Sequence, residues 1–422
     1  MGTAQVGSVR SSEAVLTIDQ VAGLGDGRAP GPVFVPFTLP GETVRVRGEG
    51  ERAELTEILV ASSDRVQPPC PHFGACGGCA LQHWAEAPCL AWKVDQIRAD
   101  LGRAGIETDI LSPIASPPHS RRRIALHARR AGPGNVRLGY KARRSWDLVE
   151  IAVCPISDPR LIRALPQLKA VAEPLFQHPK SAPTLHLTWT ATGLDVDITG
   201  VERKSGGLSA DRRMRVAAAA AAGDMARVTL AGEILYQARQ PMIRLGPATV
   251  ALPPGAFLQA VPQAEAAMTA FACAAVAGAG RIADLFCGVG TFTFPLAQIG
   301  AVHAIDSEPL SVKALAGAVA TAPGLKAITT EPRDLFRRPF LAQDLKRFDA
   351  VVFDPPRAGA AAQAAEIAAS KVGRVVGVSC NPATFARDAQ LLIAAGFRLE
   401  RVLPVDQFLW SPHIELVGVF AR

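Results

Sequence analysis

The stretch Arg281-Ile-Ala-Asp-Leu-Phe-Cys-Gly-Val-Gly-Thr291 decides the fold of this chain. Its first half, Arg281–Phe286, is an apolar run that predicts a buried β-strand, and its second half is a turn with two glycines. Similar apolar runs at Ala301–Asp306, Ala350–Asp354 and Arg374–Ser379 predict further strands, with helical segments between them. Strands that alternate with helices in this way indicate an α/β fold, with an open parallel sheet and helices on both faces.

The glycine turn predicts a ligand site. Gly288 and Gly290 let the backbone approach a ligand closely, and the start of the following helix favours polar or anionic groups. The next strand ends in Asp306, where a carboxylate can hold ribose hydroxyls. The longer spacing Gly-x-Gly-x-x-Gly of dinucleotide-binding proteins is absent, so the short turn with acidic strand ends suits S-adenosylmethionine better. An ordinary tight turn is the alternative.

Two neighbouring strand ends carry groups that suit methyl transfer to a pyrimidine. Asp354-Pro-Pro-Arg357 would hold a carboxylate rigidly beside a planar substrate. The strand Arg374–Ser379 delivers Cys380 to the same edge of the sheet. A thiolate that adds to carbon 6 of uracil makes carbon 5 able to attack a methyl sulfonium. The alternatives are a buried packing role for Cys380 and a stiff loop without a chemical role for Asp354.

This covalent route also requires a base that removes the carbon 5 proton. His413-Ile-Glu415-Leu-Val417 offers a carboxylate inside an otherwise apolar strand, where an unpaired glutamate would be costly. We therefore expect Glu415 to be the general base. A surface charge on an edge strand is the alternative.

Four of the eight cysteines have the spacing of a metal site. Cys70-x5-Cys76-x2-Cys79 places three thiols within ten residues, and Cys154 stands directly before a proline. This arrangement favours a [4Fe–4S] cluster over structural zinc, whose ligands more usually form two close pairs. Three of the other cysteines are expected to be packing residues, namely Cys89, Cys273 and Cys287.

Charge and hydropathy restrict the class of protein to which this chain can belong. Lys and Arg total 45 against 38 Asp and Glu, and nine Lys or Arg with no acid lie in the run from His119 to Trp146. Such a run indicates either a polyanion-binding surface or a solvated face. The arginines expected to contact phosphates are Arg121, Arg122, Arg123, Arg129 and Arg130. The sequence has no signal-peptide pattern and no apolar stretch long enough to cross a bilayer, so a cytoplasmic protein is expected.

Short strands separated by turn residues occupy the first sixty residues. They are expected at Val15–Ile18, Val33–Phe37, Val44–Arg47 and Leu55–Leu59. This spacing suggests a small barrel of the OB kind, which commonly binds single-stranded nucleic acid. A small β-domain without a ligand is the alternative. Residues 118 to 250 are expected to be mixed and mostly β.

With these residues in place, the chain resembles the RNA 5-methyluridine methyltransferases over nearly its whole length. It resembles the bacterial 23S rRNA (uracil-5-)-methyltransferase branch in particular. Ser379-Cys-Asn-Pro-Ala-Thr-Phe-Ala-Arg-Asp388 matches the family's nucleophile signature, and His413–Glu415 matches its catalytic-base segment. Gly23–Arg28, Val33–Pro36 and Leu39–Glu42 look like a TRAM domain, an OB-like RNA-binding module.

The resemblance implies S-adenosylmethionine-dependent methylation of carbon 5 of a uridine in RNA, with 23S rRNA favoured and tRNA as the alternative. It implies a [4Fe–4S] cluster on the four cysteines and a monomer without an obligate protein partner or a membrane. The residues that it implies as donor contacts are Gln259, Phe286, Thr291, Asp306, Asp334 and Asp354. Thr291 and Asp306 stand where many relatives have Asn and Glu, which puts the details of the donor pocket in doubt.

The implied architecture has three parts. A TRAM/OB-like barrel spans 1–66, a central iron–sulfur and RNA-binding domain spans 67–89 and 118–255, and a Rossmann-like methyltransferase domain spans 90–117 and 256–422. A helix at Leu90–Gly105 should therefore pack on the methyltransferase sheet. Two other classes stay open. One is an amino-methyltransferase, which usually has an aromatic residue where Arg357 stands, and the other is a non-catalytic iron–sulfur RNA-binding protein.

Overall fold

The computed structural model describes residues 13–132, 134–202 and 206–422. Its first strands are β1 Glu13–Thr17, β2 Gln20–Val21, β3 Asp26–Ala29, β4 Val33–Pro36, β5 Thr43–Arg47 and β6 Glu54–Val60. They form the sheets β1-β5-β6 and β2-β3-β4. Ile18, Val35 and Val44 are fully buried in the core that the two sheets share. The expected strands are present, and β2 and β3 lie in a glycine-rich segment where only a turn was predicted.

The next elements along the chain are α1 Glu86–Arg103, β7 Asp109–Ile110 and β8 Ile114–Ala115. Helix α1 begins at Glu86, four residues before the expected start. Its Ile97 and Leu101 are buried in the same apolar core as Leu392 of the C-terminal half. Lys93 is also buried on this helix, and its Nζ lies 2.6 Å from Oδ2 of Asp406. Removing one partner of such a buried pair costs about 3–5 kcal/mol, so the pair holds α1 firmly against the end of a distant strand.

A second sheet fills the middle of the chain. Its elements are β9 Arg123–Gly132, β10 Asn135–Lys141, β11 Leu148–Glu150, α2 Pro159–Arg163, α3 Leu165–Ala172, a 3₁₀ turn Glu173–Leu175, β12 Thr184–Thr190, β13 Gly193–Thr199, α4 Ala210–Ala222, β14 Arg227–Leu230 and β15 Glu233–Gln237. The strand order is β11-β10-β9-β12-β13-β14-β15. Ile124, Leu126 and Ala128 alternate along β9 and are buried in the core formed with α3 and α4. Because successive side chains of a strand point to opposite faces, the other positions of β9 lie on the face away from these helices.

The C-terminal sheet has the predicted α/β pattern. Its part of the chain contains β16 Met242–Leu245, β17 Ala248–Ala251, α5 Pro262–Ala275, β18 Arg281–Leu285, α6 Thr293–Leu296, β19 Ala301–Asp306, α7 Pro309–Val319, β20 Ile328–Pro332, α8 Ala342–Leu345, β21 Ala350–Phe353, α9 Ala361–Ala369, β22 Arg374–Ser379, α10 Pro382–Ala394, β23 Arg398–Asp406 and β24 Glu415–Ala421. The order is β20-β19-β18-β21-β22-β24-β23-β7, with β8 also paired to β23. Strands β18 to β22 are parallel, and β24 lies antiparallel between β22 and β23.

This topology confirms the predicted fold class. The strands at Ala301–Asp306 and Arg374–Ser379 have the expected bounds, and those that begin at Arg281 and Ala350 each end one residue early. The division of the chain at residues 66, 90, 118 and 256 stays a prediction. Within the described ranges, no helix combines the length and the apolar character needed to cross a bilayer.

Candidate active site

The carboxyl ends of the parallel strands bring the predicted site residues to one edge of the sheet. Phe286 follows β18, Asp306 ends β19, Asp334 follows β20, Asp354 follows β21 and Cys380 follows β22. These residues lie almost a hundred positions apart in the chain. They converge because every parallel strand delivers its last residue to the same edge, which is where α/β proteins bind ligands.

The glycine turn after β18 has the conformation that its sequence requires. Gly290 has a φ of +103°, and a Cβ at this position would lie 2.6 Å from Cε2 of Phe294, so a side chain is excluded. Asp306 accepts hydrogen bonds from the backbone N–H groups of Gly288, at 2.9 Å, and of Glu308, at 2.8 Å. Thr291 follows the turn and is half-buried. The turn and the end of β19 are therefore held together by the carboxylate predicted to hold ribose.

Asp284 is a site residue that was not among those predicted from the sequence. It lies one residue before the carboxyl end of β18, between β19 and β21, and is 1% exposed. Its Oδ2 accepts a hydrogen bond from the Thr293 hydroxyl at 2.5 Å. Within the described residues its Oδ1 has no hydrogen-bond partner. The pKa of Asp284 is raised to about 7, mainly by burial and also by the nearby Asp354 and Asp306, while the hydrogen bond from Thr293 opposes the increase. An unpaired buried carboxylate oxygen at a ligand edge is suited to bind a cationic group.

Two aromatic rings flank this edge. Phe286 has a φ of +62°, a region in which a bulky residue is strained, and its ring lies 5.6 Å from that of Phe336. Phe336 is 50% exposed. Asp334 accepts backbone hydrogen bonds from Phe336 and Arg337 and thereby shapes the loop that presents this ring.

Cys380 and Glu415 lie side by side. Ser379 of β22 pairs with Leu416 of β24, so the residues immediately beyond them, Cys380 and Glu415, meet at the end of the two strands. Glu415 is 3% exposed and is the first residue of β24, which lies inside the sheet. The alternative of a surface charge on an edge strand is therefore wrong. Cys380 is half-buried.

Burial and mutual repulsion disfavour the charged forms of this pair. The pKa of Cys380 is raised to about 11, mainly by burial and also by the carboxylates of Glu415 and Asp354, while Arg357 opposes the increase. Burial also raises the pKa of Glu415 and of Asp354, and the charge of Asp354 adds to the effect on Glu415. A positive charge beside these groups would stabilise the thiolate and both carboxylates at once.

Gln259 is buried at the same point, where its Nε2 donates to Oδ2 of Asp354 at 3.1 Å. Its Oε1 accepts a hydrogen bond from Gln407, which also bonds Glu415. Gln407 was not predicted from the sequence, because a glutamine in the loop after β23 has no local signal. Only the sheet order, which places β23 beside β24, reveals its neighbours.

The four predicted metal ligands line one pocket. Cys70, Cys76, Cys79 and Cys154 all contribute to its wall. Gly77 donates its backbone N–H to the Lys141 carbonyl at 2.9 Å, which brings the 70–79 loop to the end of β10. In the part of the chain that the structure describes, no three or more His, Cys, Asp or Glu side chains form a group that could hold a metal ion as they stand. The four cysteines nevertheless share the wall of one pocket.

The arginine run divides between the two faces of its strand. Arg122 is 9% exposed, and its Nη2 lies 2.6 Å from Oε2 of buried Glu265. The expectation that Arg122 contacts phosphate is therefore wrong, because its position points it into the interior, where it pairs with α5. Arg123 and Arg129 lie on the opposite, more open face. Arg123 also stacks over the exposed ring of Phe257, with its guanidinium carbon 5.5 Å from the ring centre.

The chain is similar to known proteins over nearly its whole length. A family model described as tRNA (Uracil-5-)-methyltransferase matches residues 250–422. A protein of Caulobacter vibrioides named as an uncharacterized RNA methyltransferase is 62% identical over 412 residues, which cover 96% of this chain and 99% of that protein. The 23S rRNA (uracil(1939)-C(5))-methyltransferase RlmD of Chromohalobacter salexigens is 33% identical, over 96% of this chain and 89% of that protein.

A solved structure has the same fold. The tRNA (uracil-54, C5)-methyltransferase of Pyrococcus abyssi, in complex with S-adenosyl-L-homocysteine, superposes with a TM-score of 0.75 at 24% sequence identity. The match covers 96% of this chain and 99% of that one.

Proposed function

Because this chain belongs to the RNA (uracil-5-)-methyltransferase family, we propose that it methylates carbon 5 of a uridine through a covalent adduct on Cys380. The observation that carries this proposal is the pairing of Cys380 with buried Glu415 at the ends of β22 and β24. A nucleophile and a base that lie side by side can act in sequence on adjacent carbons of one ring. An enzyme that methylates an exocyclic nitrogen needs neither group.

The chemistry follows from these two side chains. The Cys380 thiolate adds to carbon 6, and the electron pair of the carbon 5–carbon 6 bond becomes available at carbon 5. Carbon 5 then attacks the methyl group of S-adenosylmethionine. The methyl–sulfur bond breaks, and S-adenosylhomocysteine leaves with a neutral sulfur. Glu415 takes the proton from carbon 5, the double bond re-forms, and the Cys380 thiolate leaves. Each turnover consumes one methyl group and releases one proton.

We propose that the strand ends hold the methyl donor. Asp306, at the end of β19, would bind ribose hydroxyls, and the unpaired Oδ1 of Asp284 suits the ammonium group of the donor. The exposed face of Phe336 beside Phe286 offers an apolar surface for the adenine ring. The proposed donor contacts remain Gln259, Phe286, Thr291, Asp306, Asp334 and Asp354, with Asp284 added from the structure.

The covalent route is tested with RNA that carries 5-fluorouridine at the target position. Fluorine at carbon 5 cannot leave as a proton, so the methylated adduct cannot break down. We expect a protein–RNA species on a denaturing gel that forms only when S-adenosylmethionine is present. An amino-methyltransferase or a non-catalytic RNA-binding protein would form no such species, so its absence with active enzyme would exclude the covalent route.

We also propose a [4Fe–4S] cluster on Cys70, Cys76, Cys79 and Cys154. The common pocket and the four-thiol donor set support it, and zinc is the alternative. The residues directly after Cys79 are attached to the loop between β23 and β24, which leads to Glu415, since Ala80 and Leu81 both donate backbone hydrogen bonds to the Trp410 carbonyl, at 2.9 and 3.0 Å. A bound cluster would hold this loop in place, which is a structural role and does not require redox chemistry.

The metal content is directly measurable. We expect protein purified without oxygen to be brown and to contain about four irons per chain. Replacement of Cys76 by Ala should remove the iron, whereas Cys89→Ala, at a buried cysteine outside the pocket, should leave it unchanged. Stoichiometric zinc in protein without visible absorbance would rule out the cluster.

The proposed substrate is 23S rRNA. The relative that acts on 23S rRNA aligns over 96% of this chain at 33% identity, whereas the solved relative that acts on tRNA is 24% identical. The N-terminal sheets are proposed to be the TRAM-like RNA-binding module. Mapping of 5-methyluridine in rRNA and tRNA from a strain that lacks the gene would decide between the two substrates.

The open face of β9 is proposed to contact RNA phosphates, and adjacent arginines provide a matched test. The double change Arg123→Gln and Arg129→Gln should weaken RNA binding and reduce the slope of log affinity against log salt by about 2. Arg122→Gln removes one charge from the neighbouring position, but it should leave the slope unchanged. It should instead lower the free energy of unfolding by about 3–5 kcal/mol, because Glu265 loses its buried partner.

RNA-binding isotherms at several salt concentrations and denaturant unfolding curves separate these outcomes. Equal salt slopes for the wild type and the double variant would show that the open face is only solvated. A salt slope that changes in Arg122→Gln without a change in stability would contradict the interior position of that side chain.

A further inference from the structure

The side chain of Gln407 links the two buried carboxylates of the active site. It is 4% exposed and directly follows β23. Its Oε1 accepts the backbone N–H of Ala260 at 3.2 Å. Its Nε2 donates to Oε2 of Glu415 and to Oε1 of Gln259, both at 2.8 Å. The carboxamide oxygen and both N–H groups of Gln407 are therefore engaged in hydrogen bonds.

The contacts determine which way the carboxamide faces. A backbone N–H can only donate, so the group that faces Ala260 must be the oxygen of Gln407. Its NH₂ group must then face Glu415 and Gln259. Because Gln259 accepts through Oε1, its own NH₂ group is directed at Asp354, to which it donates at 3.1 Å. The result is a one-way series of donors that starts at a backbone amide and ends on both carboxylates.

The position of Gln407 is itself held by its neighbours. Asp406 is bound by Lys93 at 2.6 Å, and its Oδ1 accepts the backbone N–H of Phe408 at 3.0 Å. Lys93 also donates to the Phe408 carbonyl at 3.1 Å. With the residues on either side attached to helix α1, the carboxamide of Gln407 has little freedom to swing away from Glu415.

The charged groups around Glu415 make this donor important. Asp354 faces it from the end of β21 and Cys380 from the end of β22, and both are acidic groups. The charge of Arg357 stabilises the thiolate of Cys380, and Lys93 forms an ion pair with Asp406. Among the described residues, neither Glu415 nor Asp354 has an ion-pair partner. The NH₂ group of Gln407 is the hydrogen-bond donor that the structure provides to Glu415.

We propose that Gln407 is a positioning residue, which orients Glu415 toward the carbon 5 proton and favours its ionised form, and which orients Asp354 through Gln259. This inference rests on the proposed role of Glu415 as the base. A donor lowers the pKa of a carboxylate that accepts from it, and this effect of Gln407 opposes the increase that burial causes in Glu415. Loss of the donor should therefore leave more of Glu415 protonated at neutral pH, and a protonated base cannot accept the carbon 5 proton.

The variant that tests this is Gln407→Met, which keeps the length and nearly the volume of the side chain but cannot donate. In single-turnover reactions, methyl transfer and adduct resolution are followed separately as a function of pH. We expect the resolution rate at pH 7 to fall about tenfold more than the transfer rate, and its pH midpoint to rise by about one unit. The methylated adduct should accumulate at neutral pH and clear when the pH is raised.

Two comparisons isolate the hydrogen bond. Val405→Ala removes volume from the same end of β23, where Val405 is fully buried, but it removes no hydrogen bond to a carboxylate. It should leave the pH midpoint unchanged. In Glu415→Gln the adduct should persist at every pH, because no ionisable base remains. A Gln407→Met profile that matches the wild type, or a Val405→Ala shift of the same size, would overturn the inference.

A second measurement does not depend on activity. The infrared carbonyl band of protonated carboxyl groups is titrated in the protein alone, and the contribution of Glu415 is the part that disappears in Glu415→Gln. We expect its midpoint to rise by about one pH unit in Gln407→Met. An unchanged midpoint would refute the role of Gln407 even if no RNA is methylated. Conversely, failure of the wild type to form an adduct with 5-fluorouridine RNA refutes the proposed function alone.

Discussion

Replacement of Cys380 by alanine should abolish methyl transfer, with a loss on the order of 10⁶-fold in turnover, as is typical when a covalent nucleophile is removed. The physical reason is that carbon 5 of uracil is a poor nucleophile until a group adds to carbon 6. No neighbouring side chain can replace the thiol, because the adjacent groups at the strand ends are the carboxylates of Glu415 and Asp354. Transfer of a labelled methyl group from S-adenosylmethionine to RNA measures the effect.

The loss must be separated from a loss of folding or binding. Cys380 is half-buried at the end of β22, outside the main core, so the thermal midpoint and the RNA affinity of the variant should stay near those of the wild type. Cys273→Ala is a matched control, since it makes the same change in helix α5 and removes no group assigned a role in the reaction. It should retain full turnover. Substantial turnover by Cys380→Ala would eliminate the covalent mechanism.

Glu415→Gln should stop the reaction at a later point and leave a methylated protein–RNA adduct. Thiolate addition and methyl transfer precede removal of the carbon 5 proton, so they do not need the base. Glutamine has nearly the same shape, and its oxygen can still accept from Gln407. We expect a species that persists on a denaturing gel and whose mass includes the added methyl group.

The rate of adduct resolution should depend on pH in the wild type but not in this variant. Burial raises the pKa of Glu415, and the base must be ionised to act, so adduct resolution in the wild type should accelerate as the pH rises through that raised pKa. The variant has no group to titrate and should lose this dependence. The double variant Cys380→Ala, Glu415→Gln should form no adduct. An inactive Glu415→Gln protein that never accumulates the adduct would show that another group removes the proton.

Local sequence was sufficient to predict the fold class and the positions of most candidate site residues. A buried parallel strand is a short apolar run between breakers, and this property can be read without knowledge of its neighbours. The ends of those runs locate Asp306, Asp354 and Cys380, since parallel strands deliver their last residues to one edge. Spacing and the proline after Cys154 likewise predicted the thiol set, whose members the structure places around one pocket.

What only the tertiary structure decided is which groups face one another. Sequence alone could not show that Arg122 points inward to Glu265, because its direction depends on which face of β9 is covered. Glu415 was ambiguous for the same reason, until β24 was found between two other strands. The hydrogen bond from Gln407 to Gln259 joins residues 148 positions apart. Such pairings follow from the order of strands in the sheet, which is set by the packing of the whole chain and leaves no local pattern around either residue.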